Sequence, residues 1–375
     1  MARILNLLLF TLLLLSCSQK HETACTTTPP DSSVVINYAK GFRIDYFPRY
    51  KKISVLNPWK KNELSACYYL VQHKNTATPP DGQKIVVPLH RIAATSCTHF
   101  EFLHLLGELS GVKGICSPQL IYNNYLQTKF RAGELTDLGD AFNLNIEKIQ
   151  LMQPNAVMIS GFNHEDPVAK RLQENGIPVI YNNEWMENSL LARAEWIKFV
   201  AAFYNKQTLA DSLFEGISSR YNKVKQRAKE STKKPSIVCG GNFKGTWYLP
   251  GGKNYMAQLF ADAQGNYFYA NDSSTASLPF NFEAVFTNFH QADVWVACSA
   301  ASLQELINSD PRHALFKAVK NKQVYNFNKR YTATGANDFW ESGIAHPDLI
   351  LSDMIKLLHP ELLPEYEFTY TKKLD

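Results

Sequence analysis

The chain has 375 residues, of which 45% are hydrophobic and 12% aromatic, a composition that fits a packed globular protein and excludes a disordered one. The formal net charge is only +5, and the short Lys/Arg clusters are not interleaved with stacking aromatics, so we expect no nucleic acid as a partner. A chain of this length is long for one hydrophobic core and indicates two lobes or domains.

The N-terminus has the features of a leader peptide. Arg3 precedes an apolar run over 4–15, which is too short to span a membrane but suits the core of a signal peptide. The run ends in Leu14-Leu15-Ser16-Cys17, which resembles the lipobox of bacterial lipoproteins. The resemblance implies a signal peptide over 1–16 and lipidation of Cys17; an ordinary secretory leader is the alternative.

Several acyl chains together hold a protein stably on a membrane. We therefore expect a lipid-anchored protein of the bacterial cell envelope that faces the periplasm, with the outer surface left open. Residues 17–33 have the composition of a flexible tether. Alternating apolar residues over 34–88 then predict a small β-rich extension, which ends after the turn residues Pro79-Pro80-Asp81-Gly82.

Six cysteines remain once Cys17 is set aside. Cys239 and Cys298 lie in apolar strand-like runs and are expected to behave as small buried hydrophobic residues. Cys67, Cys97 and Cys116 could pair in an oxidising compartment. The sequence does not select a pairing, so we assign no disulfide and leave the pairing open.

From residue 85 onward, short apolar runs alternate with helical periodicity, which indicates α/β units on mainly parallel sheets. The runs predict an N-terminal lobe over 89–185 and a C-terminal lobe over 231–362, followed by a tail over 363–375. The two halves repeat one order of elements: Ile92 matches Ile237, and Val179 matches Val324, both at a spacing of 145 residues. The predicted fold is α/β, with two Rossmann-like lobes and the N-terminal β-rich extension.

The segment between the lobes, 186–230, is predicted to be a helical connector. One apolar stripe runs from Leu190 to Tyr204 and a second from Leu209 to Val224, with a break at Asn205-Lys206-Gln207. A helix over 207–229 would be about 34 Å long at 1.5 Å per residue, enough to span both lobes. Such a connector is stiff and permits small rocking of the lobes.

Two glutamates occupy matching positions in the repeat. Glu147 follows Asn145 and Glu283 follows Asn281, in each case at the start of a short helix that leads through a polar turn into a strand. Asparagine is a favourable N-cap, and a carboxylate in the first turn is stabilised by the helix dipole. Capping accounts for each glutamate alone, and duplication of an ancestral half would account for the pair.

The chain resembles class III substrate-binding proteins of ABC importers. The resemblance rests on Asn145, Glu147, Ile149 and Pro154-Asn155, on the corresponding pattern in the second lobe, on the helical connector and on the lipobox. These proteins serve cobalamin, ferric siderophores and haem. The closing run over 339–363 is also similar to the C-terminal helix of lipid-anchored members from Bacteroidetes-like bacteria, and the resemblance covers about 88–362. It implies that Glu147 and Glu283 dock onto an ABC permease dimer, which works with its ATPase. It also implies a metal-chelate or tetrapyrrole ligand, no enzymatic activity and no resident cofactor.

Ligands of two-lobe α/β proteins bind between the lobes, beyond the carboxyl ends of the strands. Aromatic residues there suit a flat macrocycle or a catecholate, and Arg and Lys suit anionic groups. The predicted ligand-binding residues follow from these loops: Thr98, His99, Tyr122, Phe162, Asn163, Lys244, Trp247, Tyr248, Arg330, Tyr331 and Trp340. In cobalamin-binding members, a tryptophan precedes each docking glutamate by six residues; Ala141 and Ser277 stand there in this chain, and this departure counts against cobalamin. Trp247-Tyr248 could replace the stacking, so siderophore, haem and cobalamin all stay open.

Two other functions remain open at this stage. A bare transition metal could be bound by His99 and His164, or by His104 with Glu108 at the i,i+4 spacing of a helical metal pair. An anchored enzyme is the second alternative, although H-E-x-x-H, G-x-S-x-G, P-loop and dinucleotide-binding motifs are missing from the sequence.

Overall fold

The computed structural model describes residues 29–163, 166–298 and 300–375. The predicted signal peptide, the lipidation site Cys17 and tether residues 17–28 lie outside the described residues. Among the described residues, no helix has both the length and the hydropathy that crossing a membrane requires.

The N-terminal extension is a five-stranded sheet. Its strands are β1 (Ser32–Ser33), β2 (Phe42–Tyr46), β3 (Lys51–Leu56), β4 (Leu64–Val71) and β5 (Gln83–Val86). They lie side by side in the same order as in the chain. Neighbouring strands are antiparallel except β4 and β5, which are parallel. The alternation that predicted these strands places Ile44, Ile53 and Val55 in the core, and the last two residues assigned to the tether form β1.

The first lobe is built on a parallel sheet. Its strands and hairpin are β6 (Ile92–Ala94), β7 (Val112–Ile115), β8 (Thr136–Asp137), β9 (Gly139–Asp140), β10 (Asn143–Leu144), β11 (Ala156–Ile159) and β12 (Val179–Tyr181). Its helices are α1 (Phe100–Leu105), α2 (Asn124–Arg131), α3 (Ile146–Met152) and α4 (Pro167–Glu174). The sheet order is β12-β11-β6-β7-β8, and β9 and β10 form a separate hairpin.

The connector consists of three helices, α5 (Leu190–Ala194), α6 (Ile197–Ala202) and α7 (Gln207–Ala228). The break predicted at Asn205-Lys206-Gln207 is confirmed, since Asn205 has a left-handed φ of +56° directly before α7 begins. The predicted long helix is confirmed as well. It is tied to the second lobe because Tyr221 Oη donates to Asp262 and Arg220 Nε donates to Asp348.

The second lobe repeats the parallel sheet. Its strands are β13 (Ser236–Cys239), β14 (Asn242–Phe243), β15 (Thr246–Pro250), β16 (Asn266–Tyr267), β17 (Ser277–Phe280), β18 (Val294–Val296), β19 (Val324–Asn326) and β20 (Lys372–Lys373). Its helices are α8 (Tyr255–Asp262), α9 (Phe282–Phe289), α10 (Leu303–Ser309), α11 (Lys317–Lys320) and α12 (Pro347–Leu358). The main sheet has the order β16-β13-β18-β19-β20, and β14-β15-β17 form a small antiparallel sheet.

The duplication read from the sequence is confirmed by topology. In each lobe the first strand (β6 or β13) lies between the second strand (β7 or β16) and the strand that follows a glutamate-bearing helix (β11 or β18). The last parallel strand of each lobe pairs with the far side of that strand: β12 pairs with β11, and β19 pairs with β18. The α/β prediction is correct, and the two sheets present equivalent carboxyl edges.

The last residues of the chain belong to the second sheet. β20 pairs antiparallel with β19, so the segment predicted as a tail supplies an edge strand. Asp353 on α12 is fully buried and accepts hydrogen bonds from the backbone N–H groups of Thr369, Tyr370 and Thr371 and from the hydroxyl of Tyr366. One carboxylate therefore fixes the C-terminal strand.

Candidate functional site

The two candidate docking glutamates stand at equivalent positions on the two lobes. Asn145 caps α3 by accepting from the N–H of Lys148 at 3.0 Å, and Asn281 caps α9 by accepting from the N–H of Ala284 at 2.9 Å. Glu147 and Glu283 lie in the first turns of these helices and are both exposed. Neither carboxylate is used to stabilise a core, so both are accessible to a partner.

The two glutamates differ in their neighbours. Glu283 Oε1 forms an ion pair with Arg312 Nη1 at 3.0 Å, and the Arg312 guanidinium lies 3.9 Å from the centroid of the Phe282 ring. For Glu147 the structure shows no ion pair within the described part of the chain. Because exposed ion pairs contribute about 0–1 kcal/mol, Arg312 holds Glu283 only weakly.

A cavity of about 200 Å³ lies at the carboxyl edge of the second sheet. Gly240 follows β13, Ala297 follows β18 and Phe327 follows β19, and all three line it. Tyr248 and Trp340, two of the predicted ligand residues, also line it and are 51% and 44% exposed. The structure therefore brings these two aromatic side chains together at the edge where ligands of α/β proteins bind.

A second cavity of about 270 Å³ lies at the carboxyl edge of the first sheet, after β11. The predicted residues Phe162 and Asn163 line it together with Phe142 from the β9–β10 hairpin. The rings of Phe142 and Phe162 are 4.5 Å apart, and Phe162 is 5.8 Å from the ring of Trp185. This wall is aromatic, but only Phe162 and Asn163 were identified from the sequence.

Ala141 lines the first-lobe cavity and Ser277 lines the second-lobe cavity. These are the two positions six residues before the candidate docking glutamates, Glu147 and Glu283. The correspondence follows from the shared topology, and it shows that the cavities occupy equivalent places in the two lobes. Small side chains stand at both positions, so both cavities keep room there.

The prediction that Trp247 contacts a ligand is wrong for this structure. Trp247 is fully buried, stacks on Trp295 at a ring distance of 5.2 Å and donates from Nε1 to the carbonyl of Cys239. Successive side chains of a strand point to opposite faces. On β15, Trp247 therefore faces the core of the second lobe while Tyr248 faces outward.

His99 is also corrected. Its side chain is fully buried, Nε2 lies 3.2 Å from Ser160 Oγ, and burial lowers the pKa of the imidazole to about 3. It is a neutral core residue and cannot reach a ligand in this arrangement. Thr98 is half-buried and its Oγ1 lies 3.0 Å from Ser96 Oγ, so its hydroxyl supports the turn before α1.

The remaining predicted residues lie at the boundary between the lobes or away from it. The Arg330 guanidinium is 5.4 Å from the ring centroid of Tyr122, and Arg330 Nε pairs with Asp338 Oδ2 at 2.9 Å. Tyr331, 56% exposed, follows Arg330. Lys244 is exposed in the β14–β15 turn, where its ammonium lies over the Phe243 ring, and it lines neither cavity.

Glu341 is a boundary residue that the sequence analysis missed. Its carboxylate is 2% exposed and accepts from the backbone N–H groups of Tyr122 and Asn123, both at 2.8 Å. Burial raises the pKa of Glu341 to about 8, and the nearby carboxylates of Asp338 and Glu101 act in the same direction. The two lobes are therefore joined by a buried acid in addition to the connector.

Several buried polar atoms have no hydrogen-bond partner among the described residues. Four of them belong to consecutive residues after β12: Asn182 Oδ1, Asn183 Nδ2, Glu184 Oε1 and Trp185 Nε1. Leaving such atoms unpaired costs about 1–3 kcal/mol each. A run of four at the carboxyl end of one strand is a place where water or a polar ligand group would be stabilised.

Among the described residues, those proposed for a bare metal do not form a metal site. His164 lies outside the described residues, His99 is buried, and Glu108 pairs with Lys206. In the described ranges, no group of three or more His, Cys, Asp or Glu side chains is arranged to hold a metal ion. The five described cysteines all carry free thiols, and Cys239 and Cys298 are buried as predicted.

Comparison with known proteins gives the fold and the site a context. The family model described as "Periplasmic binding protein" matches residues 92–331, which include the parallel strands of both main sheets and the connector. The chain belongs to the periplasmic binding protein family. The class III resemblance drawn from its sequence is thereby confirmed, and this family consists of binding proteins.

Relatives of this binding protein include the uncharacterized lipoprotein MJ0878 of Methanocaldococcus jannaschii, 26% identical over 92% of this chain and 86% of the relative. A possible iron-binding periplasmic protein from Staphylococcus epidermidis shares the fold, with 15% identity, a TM-score of 0.57, and coverage of 73% of this chain and 100% of that chain. The periplasmic haem-binding protein RhuT from Roseiflexus sp. RS-1 is similar to the same degree: 17% identity, a TM-score of 0.57, and coverage of 73% and 99%.

Proposed function

We propose that this periplasmic binding protein is the substrate-binding component of an ABC importer and captures an iron-siderophore, cobalamin or haem-like metal complex between its lobes. The observation that carries the proposal is the pairing of two cavities at equivalent carboxyl edges of two duplicated sheets. Aromatic side chains on both, Phe162 in one lobe and Tyr248 with Trp340 in the other, suit a flat conjugated ligand. The haem-binding and iron-binding descriptions of two fold relatives support the same ligand class.

The size of the cavities bears on how the ligand enters. At about 200 and 270 Å³, each is smaller than the ~300–1,000 Å³ of typical small-molecule pockets. A chelate or tetrapyrrole would therefore span both cavities and displace the contacts between the lobes. The free-energy cost of this displacement is limited, because the contacts of Tyr122 with Arg330 and with Glu341 are local polar contacts that can reform around a ligand.

The side chains at Ala141 and Ser277 favour a ligand other than cobalamin. Both line the cavities where cobalamin-binding members carry tryptophan, so the two-sided indole stacking is missing here. Trp340 and Tyr248 offer stacking in the second lobe only. The proposal therefore places haem and ferric siderophores ahead of cobalamin.

We propose that Glu147 and Glu283 dock onto an ABC permease dimer that works with its ATPase. The two carboxylates are exposed on separate rigid lobes at matching helix N-termini, and charge pairs of this kind set the register of an association. Arg312 would have to release Glu283 on docking, at a small cost because the pair is exposed.

We place the protein in the cell envelope, held on the membrane by lipidated Cys17 and facing the periplasm. The leader and the lipobox support this placement, as do the lipoprotein names of the relatives. A lipid anchor keeps a captured ligand near the permease, which raises the effective concentration for docking.

The binding part of the proposal is tested by titrating the purified full chain with haem, cyanocobalamin and a ferric hydroxamate siderophore. We expect saturable binding of one molecule of haem or siderophore per chain, weakened by Tyr248→Ala and Trp340→Ala. Absence of saturable binding to all three probes, or steady consumption of a probe with release of a product, would contradict it.

A further inference from the structure

The N-terminal sheet is fixed firmly to the connector. Glu195 is fully buried and accepts from the backbone N–H groups of Asn37, Tyr38 and Ala39 at 2.7–2.9 Å. Glu187, also buried, accepts from the N–H groups of Lys40 and Gly41. Charge-assisted bonds of this kind are roughly twice as strong as neutral ones, so the sheet has a defined position.

The same sheet borders the edge of the first lobe. Tyr68 Oη accepts from the N–H of Tyr181 at 2.8 Å, and Gln83 Oε1 accepts from the N–H of Val179 at 3.0 Å. Both contacts are to β12, the outer strand of the first sheet. The loop between β3 and β4, residues 57–63, consequently reaches the carboxyl end of β11 and β12, where the first-lobe cavity lies.

Trp59 occupies the centre of that loop. Asn57 Oδ1 accepts from the N–H groups of Trp59 and Lys60, at 2.9 and 3.0 Å, and shapes the turn. The indole lies against the backbone of Gly161: a Cβ at Gly161 would be 3.3 Å from Trp59 Cη2 and 3.0 Å from Asn183 Oδ1. Gly161 is the residue before Phe162, so Trp59 stands next to the cavity wall.

Through its contact with Gly161, Trp59 lies beside the aromatic side chains of this wall, although it does not itself line the cavity. Trp59, Phe142 and Phe162 are 37%, 67% and 40% exposed, although side chains of this size usually bury most of their surface. Trp185 contacts Phe162, and its Nε1 donor is buried without an acceptor among the described residues. Exposed rings beside an unpaired buried donor are the features of a surface that a ligand completes.

We infer that Trp59 is a ligand-contacting residue, and that the N-terminal sheet completes the first-lobe wall for a planar, conjugated ligand. Trp59 lies outside residues 92–331, the segment that the family model matches. The extension would thus add a specificity element to the two lobes. This inference rests on the proposed function.

The test measures the dissociation constants of the full chain for haem and for a ferric hydroxamate siderophore, and follows whichever probe binds more tightly. Loss of one stacked aromatic ring corresponds to about tenfold weaker binding, so we expect about that loss for Trp59→Ala and a smaller one for Trp59→Phe. Val35→Ala is the matched control: this apolar residue, 69% exposed, lies between β1 and β2 of the same sheet and lines neither cavity, so the affinity of the variant should equal that of the parent chain.

Ligand-induced fluorescence quenching gives a second readout that does not require the alanine variant to fold. Trp59→Phe keeps a ring but removes an indole near the ligand, so the variant should lose a measurable part of the quenching. Trp59→Ala with unchanged affinity, or Trp59→Phe with unchanged quenching, overturns the inference while the proposed function stands. If the parent chain binds none of haem, the ferric hydroxamate siderophore and cyanocobalamin, the proposed function fails and the inference fails with it.

Discussion

The carboxylate of Glu341 accepts a hydrogen bond of 2.8 Å from the backbone N–H of Tyr122, across the boundary between the two lobes. A second bond, from the N–H of Asn123, makes the contact two-pronged. Thr334 Oγ1 adds a bond to the carbonyl of Gln119 nearby. The segment after β19 therefore fastens the second lobe to the first at the side of the candidate cleft.

This contact predicts a pH dependence of stability. Because burial raises the pKa of Glu341 to about 8, the folded chain holds that proton more tightly than the unfolded chain, in which glutamate titrates near 4.3. The stability contributed by Glu341 should be largest at low pH, fall as the pH rises toward 8 and level off above it. Asp338 and Glu101 face the same group; Asp338 is paired with Arg330, and Glu101 with His346.

The measurement is the melting temperature between pH 5.5 and 9 for the parent chain and Glu341→Gln, which cannot titrate. The parent should lose on the order of several °C relative to the variant across this range. Glu361→Gln, at an exposed position, is the control and should follow the parent. Parallel curves for the parent and Glu341→Gln would show that Glu341 does not titrate in this window.

The proposed docking role of Glu147 and Glu283 is tested by removing each carboxylate. Glu147→Ala and Glu283→Ala should each lower uptake of the bound probe in the host, and the double variant should lower it about tenfold or more, because each leaves a permease charge unpaired. Probe affinity of the purified chain should not change. Glu174→Ala removes an exposed helical carboxylate from the first lobe and should leave uptake intact; unimpaired uptake in the double variant would refute docking.

Arg312 gives a second test of the same surface. Arg312→Gln frees Glu283 from its exposed partner, so a permease contact through Glu283 should be kept or strengthened. Uptake is the measurement, with Arg171→Gln as a control at another exposed helical position. A large loss of uptake in Arg312→Gln would show that Arg312, and not Glu283, contacts the permease.

Variants of Trp340 and Trp247 distinguish a residue of the second-lobe cavity from a residue of the second-lobe core. Trp340→Phe should reduce ligand-induced quenching, because Trp340 lines the cavity and is partly exposed. Trp247→Phe should leave the quenching nearly unchanged and lower the free energy of unfolding, by about 1–3 kcal/mol as expected for a repacked core. Chemical denaturation and probe titration of both variants check this. Quenching that depends on Trp247 would contradict its assignment to the core.

The C-terminal clamp predicts a large loss of stability. Asp353→Ala leaves three backbone N–H groups without their acceptor, and removing a buried charged partner costs on the order of 3 kcal/mol. Equilibrium denaturation measures the loss, and Asp375→Ala, at the exposed chain end, serves as the control. A loss below 1 kcal/mol, roughly the value of one neutral hydrogen bond, would show that β20 is held by other contacts.

The parts of the fold that depend on local patterns were predictable. Asparagine before an apolar helical pattern predicts an N-cap, and the side chains of Asn145 and Asn281 do accept from N–H groups three positions ahead. The continuous apolar stripe over Gln207–Ala228 predicts a single helix, as the structure has it. The duplication followed from the repeated order of such elements. Each element in that order is identified by the residues of its own segment alone.

The site was less predictable because its contacts join distant parts of the chain. Glu341 and Tyr122 are 219 positions apart, and Trp59 reaches the first lobe from a separate sheet, so neither contact leaves a local pattern. The incorrect prediction that Trp247 contacts a ligand has a different cause. Trp247, Tyr248 and Leu249 alternate between the two faces of one strand, so the sequence pattern could have assigned Tyr248 alone to the surface. The prediction instead treated Trp247 and Tyr248 together as a stacking pair.

The central claim is that one ligand molecule is held between the two cavities. Native mass spectrometry of the full chain, purified from its own host, tests this most directly because the probe need not be chosen in advance. We predict one additional mass per chain, in the range of a metal chelate or tetrapyrrole, that is lost in Tyr248→Ala/Trp340→Ala and kept in Phe268→Ala, an exposed aromatic outside the cavities. A chain that carries no ligand, or a ligand that the double variant retains in full, would contradict the account.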